Sequence, residues 1–310
     1  MYLKQVASAR DSVRRHIFGA TGGQLLLLSL DQGAVRILVP LKLAVDPDLS
    51  NKVRVTEDGR GLVVSGSERR VNPFDEYALE AALRLTEDGS NPRQRFAEII
   101  VATLGNNEAD VMLRAGLATG ADRAIRVPSE DGELDAASVA HVLVRLVSRE
   151  SCDLVVMGKQ SSDGDGNEVG QRLAAILGWP QVTFVSKITG LADSRLEVER
   201  EVDDGLQRLR VSLPAVVTVD LRIVTPEAVR SHLTPVDFQY SPGVRFAPLP
   251  AIMKARKKSL EVRTISELNA LVRPILRHLR YEIPPTRACG RIVSSANELV
   301  SLLTSEAKVL

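Results

Sequence analysis

Histidine and cysteine are scarce. The 310 residues hold four histidines, His16, His141, His232 and His278, scattered too widely to give a metal-ligand spacing. The two cysteines, Cys152 and Cys289, lie far apart in sequence, give no disulfide framework and fit a reducing compartment. Aromatic residues make up 4% of the chain, with one tryptophan, Trp179. A stacking platform for a flavin or a base is thinly supplied from so few rings, which favours a cofactor shared with a partner. Charge imbalance is missing as well: the formal net charge is +1, so no global field points to nucleic acid. No apolar run approaches the length that crosses a bilayer, so direct membrane insertion by a helix is not expected. There is no G-x-S-x-G elbow, no paired Cys and His motif and no Walker A lysine followed by Ser or Thr. These gaps weigh against a hydrolase and for a binding or electron-carrying protein. No internal repeat or low-complexity segment is evident.

What is present is the composition of an ordinary soluble globular protein, 44% hydrophobic and 25% charged. The length suffices for one large domain with extensions, or for two small domains.

The informative stretch is Asp153 to Pro180, DLVVMGKQSSDGDGNEVGQRLAAILGWP. Leu154 to Met157 reads as a buried parallel strand. A loop with Gly158, Gly164 and Gly166 follows. Val169, Leu173, Ile176 and Leu177 then recur at helical spacing, stopped by Gly178 and Pro180. Strand, glycine loop and helix N-terminus together present free backbone N–H groups to an anion, and glycines let the backbone approach a ligand closely. The spacing of Gly164, Gly166 and Gly170 has one residue too many for the dinucleotide fingerprint. Asp163 and Asp165 would repel a bare phosphate, so they are expected to cap the helix or meet ribose hydroxyls. A capped helix with a flexible turn remains the plainer alternative for this stretch.

Elsewhere strands and helices alternate. Val35 to Val39 reads as the first strand of a parallel sheet, ending at Pro40. Val53 to Val64 reads as a β-hairpin turning at Asp58-Gly59. Asn72 caps a helix that has Pro73 at its first position, Asp75 and Glu76 in its first turn, and a stripe of Phe74, Ala78, Ala81 and Leu85. Ile99 to Leu104 is a second strand, Val111 to Ala118 a helix closed by Gly120, and Ala124 to Val127 a short strand. Val139, Val142, Leu143, Leu146 and Val147 mark a helix leading into the central strand. This order predicts an α/β fold, a doubly wound parallel sheet of Rossmann-like, nucleotide-binding type, with ligands beyond the carboxyl ends of its strands. The segments 182–188, 196–202, 206–213 and 215–221 read as strands of antiparallel decoration, with Asp203-Asp204-Gly205 in a tight turn. Thr225 to Pro250, punctuated by prolines, reads as a long functional loop or a linker. The basic run from Arg256 to Lys258 reads as a solvated face. Leu268, Leu271, Val272, Ile275, Leu276 and Leu279 have helix-like spacing interrupted by Pro274, and Ala296 to Leu303 forms a second periodic stretch capped by Ser294 or Ser295. Such apolar faces need a surface to cover, either a partner subunit or the back of the domain itself. Residues 1–34 are basic and acid-poor, like a mitochondrial transit peptide, or else an extension read from an upstream start codon.

The glycine-loop block GKQSSDGDGNEVGQRLAAILGWPQVTF closely resembles the AMP-binding signature of the electron transfer flavoprotein β-subunit family. VRILVPLK at 35–42, VNPFDEYALEAALRL at 71–85, EVDDGLQRLRVSLPAVVTVDLR at 201–222 and PLPAIMKARKK at 248–258 extend the resemblance in family order. The resemblance implies a β subunit paired with an α subunit that supplies most of a FAD site. It implies a structural AMP on the β subunit, and electrons carried from acyl-CoA dehydrogenases and related flavin dehydrogenases to the ubiquinone oxidoreductase of the electron transfer flavoprotein. It implies an electron carrier rather than an enzyme, with no catalytic residue and no metal, in fatty acid β-oxidation and in the mitochondrial matrix, with the bacterial cytoplasm as the alternative. The implied domain plan is an N-terminal extension (1–34), a nucleotide-binding domain (35–224), an insertion and recognition loop (225–258) and a C-terminal arm on the partner subunit (259–310).

Carried over by position, the implied cofactor contacts are Pro40, Asn72, Pro73, Phe74, Asp75, Leu104, Gly158, Lys159, Gln160, Ser161, Ser162, Asp163, Gly164, Asp165, Gly166, Asn167, Glu168 and Val169. Asn72 has two roles open to it, helix cap and ligand contact. Phe74 is either a core anchor of its helix or the family's aromatic near the flavin ring, and Lys159 either a phosphate contact or a solvated lysine. The implied dehydrogenase-docking loop carries Leu249, Pro250, Ile252, Met253, Lys254 and Lys257. Leu249 is an apolar knob between prolines, and the equivalents of Lys254 and Lys257 are methylated in the family. The chain departs from the family pattern in three places. Asp46 to Ser50 is longer, with Pro47 where an aromatic often lies near the flavin. Gly164 and Gly166 replace an acidic and a small residue. About fourteen extra residues lie between Thr225 and Val244, an insertion whose entropic cost grows slowly with length. The alternatives from other classes are a stand-alone adenine-nucleotide-binding module, like stress-type ATP-binding domains, and an adenylate-forming enzyme. Val39-Pro40-Leu41-Lys42 lacks the serine-glycine loop the latter needs. A flavin-bifurcating relative would carry a second FAD in place of AMP.

Overall fold

The structure, a computed structural model, describes residues 35–64, 69–130, 132–285 and 289–310. The extension 1–34 lies outside the described residues.

Nine strands form the main sheet: β1 (Val35–Pro40), β2 (Ala97–Leu104), β3 (Arg123–Val127), β4 (Leu154–Gly158), β5 (Gln181–Ala192), β6 (Arg195–Val202), β7 (Gly205–Ser212), β8 (Ala215–Val219) and β9 (Glu261–Val262). Their order is β7-β6-β5-β8-β4-β1-β2-β3-β9. The seven strands from β5 to β9 in that order are mutually parallel, and β6 and β7 add an antiparallel hairpin on one edge. The expectation that 182–188 and 215–221 are antiparallel decoration is therefore corrected. β5 and β8 continue the parallel core, with Gln181 opposite Val216 and Leu154 opposite Ala215. β8 also stops at Val219, because the Asp220 carboxylate accepts from the Arg222 N–H and turns the chain into a 3-10 segment, Leu221–Val224. The hairpin at Asp58-Gly59 forms as expected, with only Arg54–Val55 and Leu62–Val63 paired.

The described residues form six helices: α1 (Pro73–Thr86), α2 (Asp110–Thr119), α3 (Ala136–Glu150), α4 (Val169–Leu177), α5 (Leu249–Lys257) and α6 (Ala296–Leu302), the last with no buried residue. Alternation along β1 decides which layer each side chain joins. Ile37 and Val39 pack with α1 and α2 in one core, Leu38 with α3 and α4 in the other. Both faces of β1 and β4 are covered, which is why these strands read as continuous apolar runs.

β1, β2 and β3 run outward on one side, and β4 returns to the other side of β1. The order reverses between β1 and β4, so their carboxyl ends open a crevice.

Between Val224 and Leu249 there is no regular helix or strand. Buried polar groups of α1 hold this segment down. Arg84 donates to the carbonyls of Thr225 (3.0 Å), Ser241 (2.9 Å) and Gly243 (2.7 Å), and pairs with Glu80 at 2.6 Å. Arg245 meets Glu80 at 2.8 Å and Glu87 at 2.6 Å. Burial would raise Glu80, but Arg245 and Arg84 outweigh it and hold its carboxyl below the usual range. Each carboxylate is compensated, as buried charges require.

The tail differs from its pattern. Residues 268–279 form no helix. Pro274 removes an N–H and crowds the preceding turn, and so short a helix without a face to pack on is marginal. Leu268 is buried, whereas Leu271, Ile275, Leu276 and Leu279 are exposed. The Asp135 carboxylate caps α3 through the Ser138 N–H at 2.8 Å and accepts from the Ile275 N–H at 2.7 Å, pinning the tail to the domain. At α6, Ser295 is the cap, accepting from the Glu298 N–H.

Candidate functional site

The crevice between β1 and β4 is floored by the start of α1. Asn72 occupies the N-cap but makes no side-chain cap bond to the N–H groups of its helix. Its amide Nδ2 donates to the Gln160 carbonyl at 2.9 Å, and its Oδ1 accepts from the Ser162 N–H at 3.1 Å. Both polar atoms are thus spent on the glycine loop, and the expected side-chain cap is corrected: Asn72 holds the loop.

Asp75, one turn into α1, is buried. Its carboxylate accepts from the Lys42 N–H beyond β1 at 2.8 Å and from the Gly158 N–H at the end of β4 at 3.3 Å, so it ties the two strand ends together. Burial pushes it up to about 7, against these two N–H donors, the Asn72 side chain and the Lys42 charge. A β-carbon on Gly158 would lie 2.6 Å from Asp75 Oδ1 and 2.6 Å from the Phe74 β-carbon, so only glycine fits here.

The two loop aspartates, expected to cap the helix or reach ribose, are otherwise engaged. Asp163 accepts from Lys42 Nζ at 2.6 Å, and the same ammonium reaches Ser161 Oγ at 3.2 Å. Burial would raise Asp163, but Lys42 holds it below its ordinary value. Asp165 accepts from Gln160 Nε2 at 2.7 Å. The Asp163 charge is therefore compensated by Lys42 from beyond β1, whereas Asp165 is held by a neutral amide. Glu168, at the N-cap of α4, makes no side-chain bond to the first turn, whose N–H groups stay available to an anion.

The crevice encloses a cavity of about 360 Å³. Of the sequence-predicted contacts, Pro40, Asn72, Asp75, Leu104, Gly158, Lys159, Gln160, Ser161, Gly164, Gly166, Asn167, Glu168 and Val169 line it. Pro73, Phe74, Ser162, Asp163 and Asp165 stand outside the lining. Sequence reasoning missed Leu41, Lys42, Ala102, Met157 and Gly170, and the whole wall from the β3–α3 connection and α3: Ser129, Glu130, Gly132, Leu134, Ala136, Val139 and Leu143. The available signal was topological, since loops after neighbouring parallel strands meet at one end of the sheet. The result is an apolar slot of Pro40, Leu104, Leu134, Val139 and Leu143 beside a polar glycine loop. That chemistry and volume suit a mononucleotide, base in the slot and phosphate at the loop. Two buried polar atoms in this region, Ser162 Oγ and Gln171 Oε1, have no hydrogen-bond partner in the protein.

Behind the loop, Lys159 Nζ pairs with Asp220 at 2.7 Å and sits 5.4 Å from the ring centroids of both Phe74 and Phe184. Lys159 is therefore neither a free solvated lysine nor a free phosphate contact. Phe74 stays half-buried, its ring in contact with this cation. Phe184 holds a left-handed backbone, φ 59°, costly for an aromatic residue.

The expected docking loop is a helix. Pro248 is the N-cap of α5 and Pro250 lies in its first turn, where proline is tolerated. Leu249 and Met253, one turn apart, are 69% and 48% exposed, and Pro250, Lys254 and Lys257 are exposed too. Ile252 turns inward against the core, and Ala255 is buried. Ile252 also borders a second cavity, about 800 Å³, between α5 and the outer faces of α1 and α2, where Pro47 and Phe246 lie.

A family model described as the electron transfer flavoprotein domain matches residues 61–268. Among curated relatives, electron transfer flavoprotein subunit beta of Bradyrhizobium diazoefficiens is 40% identical over 276 residues, covering 89% of this chain and 100% of that protein. The human protein of the same name is 39% identical over 272 residues, 87% of this chain and 96% of that one. The Oryza sativa subsp. japonica protein, whose name adds "mitochondrial", is 39% identical over 279 residues, 89% of this chain and 100% of its own length.

Proposed function

The chain belongs to the electron transfer flavoprotein β-subunit family, and we propose that it works as the β half of a heterodimer, binding AMP and closing one wall of a FAD site supplied mainly by an α subunit. The carrying observation is the cavity between β1 and β4, where a glycine loop, its Asp163 paired with Lys42, faces an apolar slot. Backbone N–H groups of the loop and of the first turn of α4 hold the phosphate, and Leu104, Leu134, Val139 and Leu143 enclose the base. The AMP is structural and does no redox chemistry.

FAD, when bound, supplies the redox chemistry. On this chain Phe74 is the aromatic directed to it, backed by Lys159, which is neutralised by Asp220. Pro47 stands where the family pattern often has an aromatic near the flavin, so this chain offers no ring from that position. No side chain here acts as acid, base or nucleophile, and the chain is a carrier subunit rather than an enzyme.

Leu249 and Met253 on α5 dock acyl-CoA dehydrogenases and related flavin dehydrogenases, with Lys254 and Lys257 steering acidic partners. The acceptor is the ubiquinone oxidoreductase of the electron transfer flavoprotein. The exposed apolar tail, residues 271–283, forms an arm against the α subunit. That exposure favours a partnered subunit over a stand-alone nucleotide module. The compartment is the mitochondrial matrix, or the cytoplasm if the chain is bacterial.

Coexpression with an α subunit, purification of the heterodimer and mass spectrometry of the molecules released on denaturation test this reading. FAD and AMP in equal amounts are expected. Flavin without adenylate overturns the AMP assignment, and a chain that binds nucleotide alone and ignores the α subunit overturns the rest.

A further inference from the structure

We propose that Arg114, on α2, is a positioning residue for dehydrogenase docking: it fixes the far end of α5 and so the direction in which Leu249 and Met253 face. The inference rests on the docking role proposed above for α5.

α5 is nine residues long, too short to hold its shape unaided. It packs against α2. Ala255 is buried, Ile252 packs on the core, and Pro248 makes no side-chain cap bond. The near end follows a lead segment fixed by Arg84 of α1 and by its own Arg245, which pairs with Glu80 and Glu87. At the far end a helix leaves its last carbonyls short of intrahelical partners, and here the Ala255 carbonyl accepts from the Lys258 N–H of the cap at 3.2 Å. There a single guanidinium nitrogen, Arg114 Nη1, donates to the carbonyls of Ala255 (2.9 Å), Arg256 (3.0 Å) and Lys258 (3.1 Å). A cation at a helix C-terminus also meets the favourable end of the dipole. One further tether lies just past the helix, Lys258 Nζ to the Asp122 carbonyl at 3.2 Å.

Arg114 is outside the nucleotide cavity and not on the exposed apolar face itself; it borders the second cavity, beside Ile252 and Arg256 of α5. Its loss therefore loosens the last turn of α5 and leaves the folded domain and the nucleotide site alone. Docking then has to order that turn, and affinity falls by the cost of ordering it.

The test uses the α/β heterodimer, with an acyl-CoA dehydrogenase as electron donor and the heterodimer as the varied substrate. Arg114→Met is expected to raise KM for the heterodimer about tenfold with kcat unchanged, a loss of binding common to ground and transition states. FAD and AMP content stay at the wild-type level, amide exchange in 254–258 speeds up, and Arg114→Lys restores part of the affinity. Leu249→Ala serves as the reference for docking. If Leu249→Ala raises KM and both Arg114 variants stay within about twofold of wild type, the positioning role is wrong and the docking role stands. If Leu249→Ala has no effect either, the docking role fails and this inference with it. Should Arg114→Met lose flavin on purification, Arg114→Gln decides by the same comparison.

Discussion

The amide of Asn72 is hydrogen-bonded to the Gln160 carbonyl across the mouth of the crevice, 2.9 Å away, although Asn72 sits where a helix cap belongs. A cap and a tether respond differently to substitution. Aspartate is as good a cap as asparagine but has no donor for a carbonyl. Asn72→Asp is therefore expected to leave α1 intact and still lose AMP, and Asn72→Ala is expected to lose AMP as well. Adenylate content together with amide exchange at 160–162 measures this, and full retention of AMP by the aspartate variant would show that capping was the role after all.

Asp75 gives a pH signature. Burial raises it from an ordinary 3.8 to about 7, so the fold favours its neutral form. Its contribution to stability is fully present below the unfolded value and is lost as pH rises through about 7. Asp75→Asn keeps a neutral group, gives up one of the two acceptor oxygens at every pH, and removes this pH-dependent loss. The stability of the variant relative to wild type is expected to improve by on the order of 2–4 kcal/mol between about pH 4 and about pH 8. Urea midpoints across this range measure it. Parallel curves for the two proteins would contradict the assignment.

Gly158→Ala forces a β-carbon against Asp75, the Phe74 β-carbon and the Phe74 main chain. Two of these neighbours belong to the helix start and cannot swing aside. A destabilisation of about 1–3 kcal/mol is expected from such overpacking, with loss of bound adenylate. Denaturant titration of the heterodimer, paired with nucleotide analysis, checks both parts.

Asp135→Ala removes a helix cap and the pin on the tail in one step. The cap is worth about 1 kcal/mol. The sharper readout is limited trypsin digestion. Arg277, just past the pinned residues, should be cut faster in the variant chain, and an unchanged digestion rate would show that Asp135 does not hold the tail.

The parallel core was legible because buried strands and amphipathic helices announce themselves by period, and β1, β2, β4, α1 and α4 lie where their apolar residues put them. Strand direction has no such signal. β5 and β8 carry the same β-branched alternation whichever way they pair, which is why they were misread as antiparallel. The prolines around Leu249 suggested a loop, yet proline is equally a helix-start residue, and α5 follows that second meaning. The tail was misread the other way, since Leu268 to Leu279 has helical spacing but no surface to pack on among the described residues. In the site, the glycine loop could be found by motif. The roles of Lys42, Asn72 and the 129–143 wall could not, because each depends on which strand ends become neighbours. The mononucleotide itself came from resemblance rather than from spacing.

One helix serves both ends of the molecule's proposed work. Asn72 and Asp75 stand at the start of α1, and Glu80, Arg84 and Glu87 at its far half and just beyond. The 14 residues of α1 make a rod of about 21 Å, and each residue turns it by about 100°. A one-residue insertion or deletion between Asp75 and Glu80 leaves the crevice end in register and rotates Arg84 away from the carbonyls it holds. Length variation in α1 is thereby forbidden by rotation rather than by space, and this stretch is expected to keep its residue count through any amount of sequence drift.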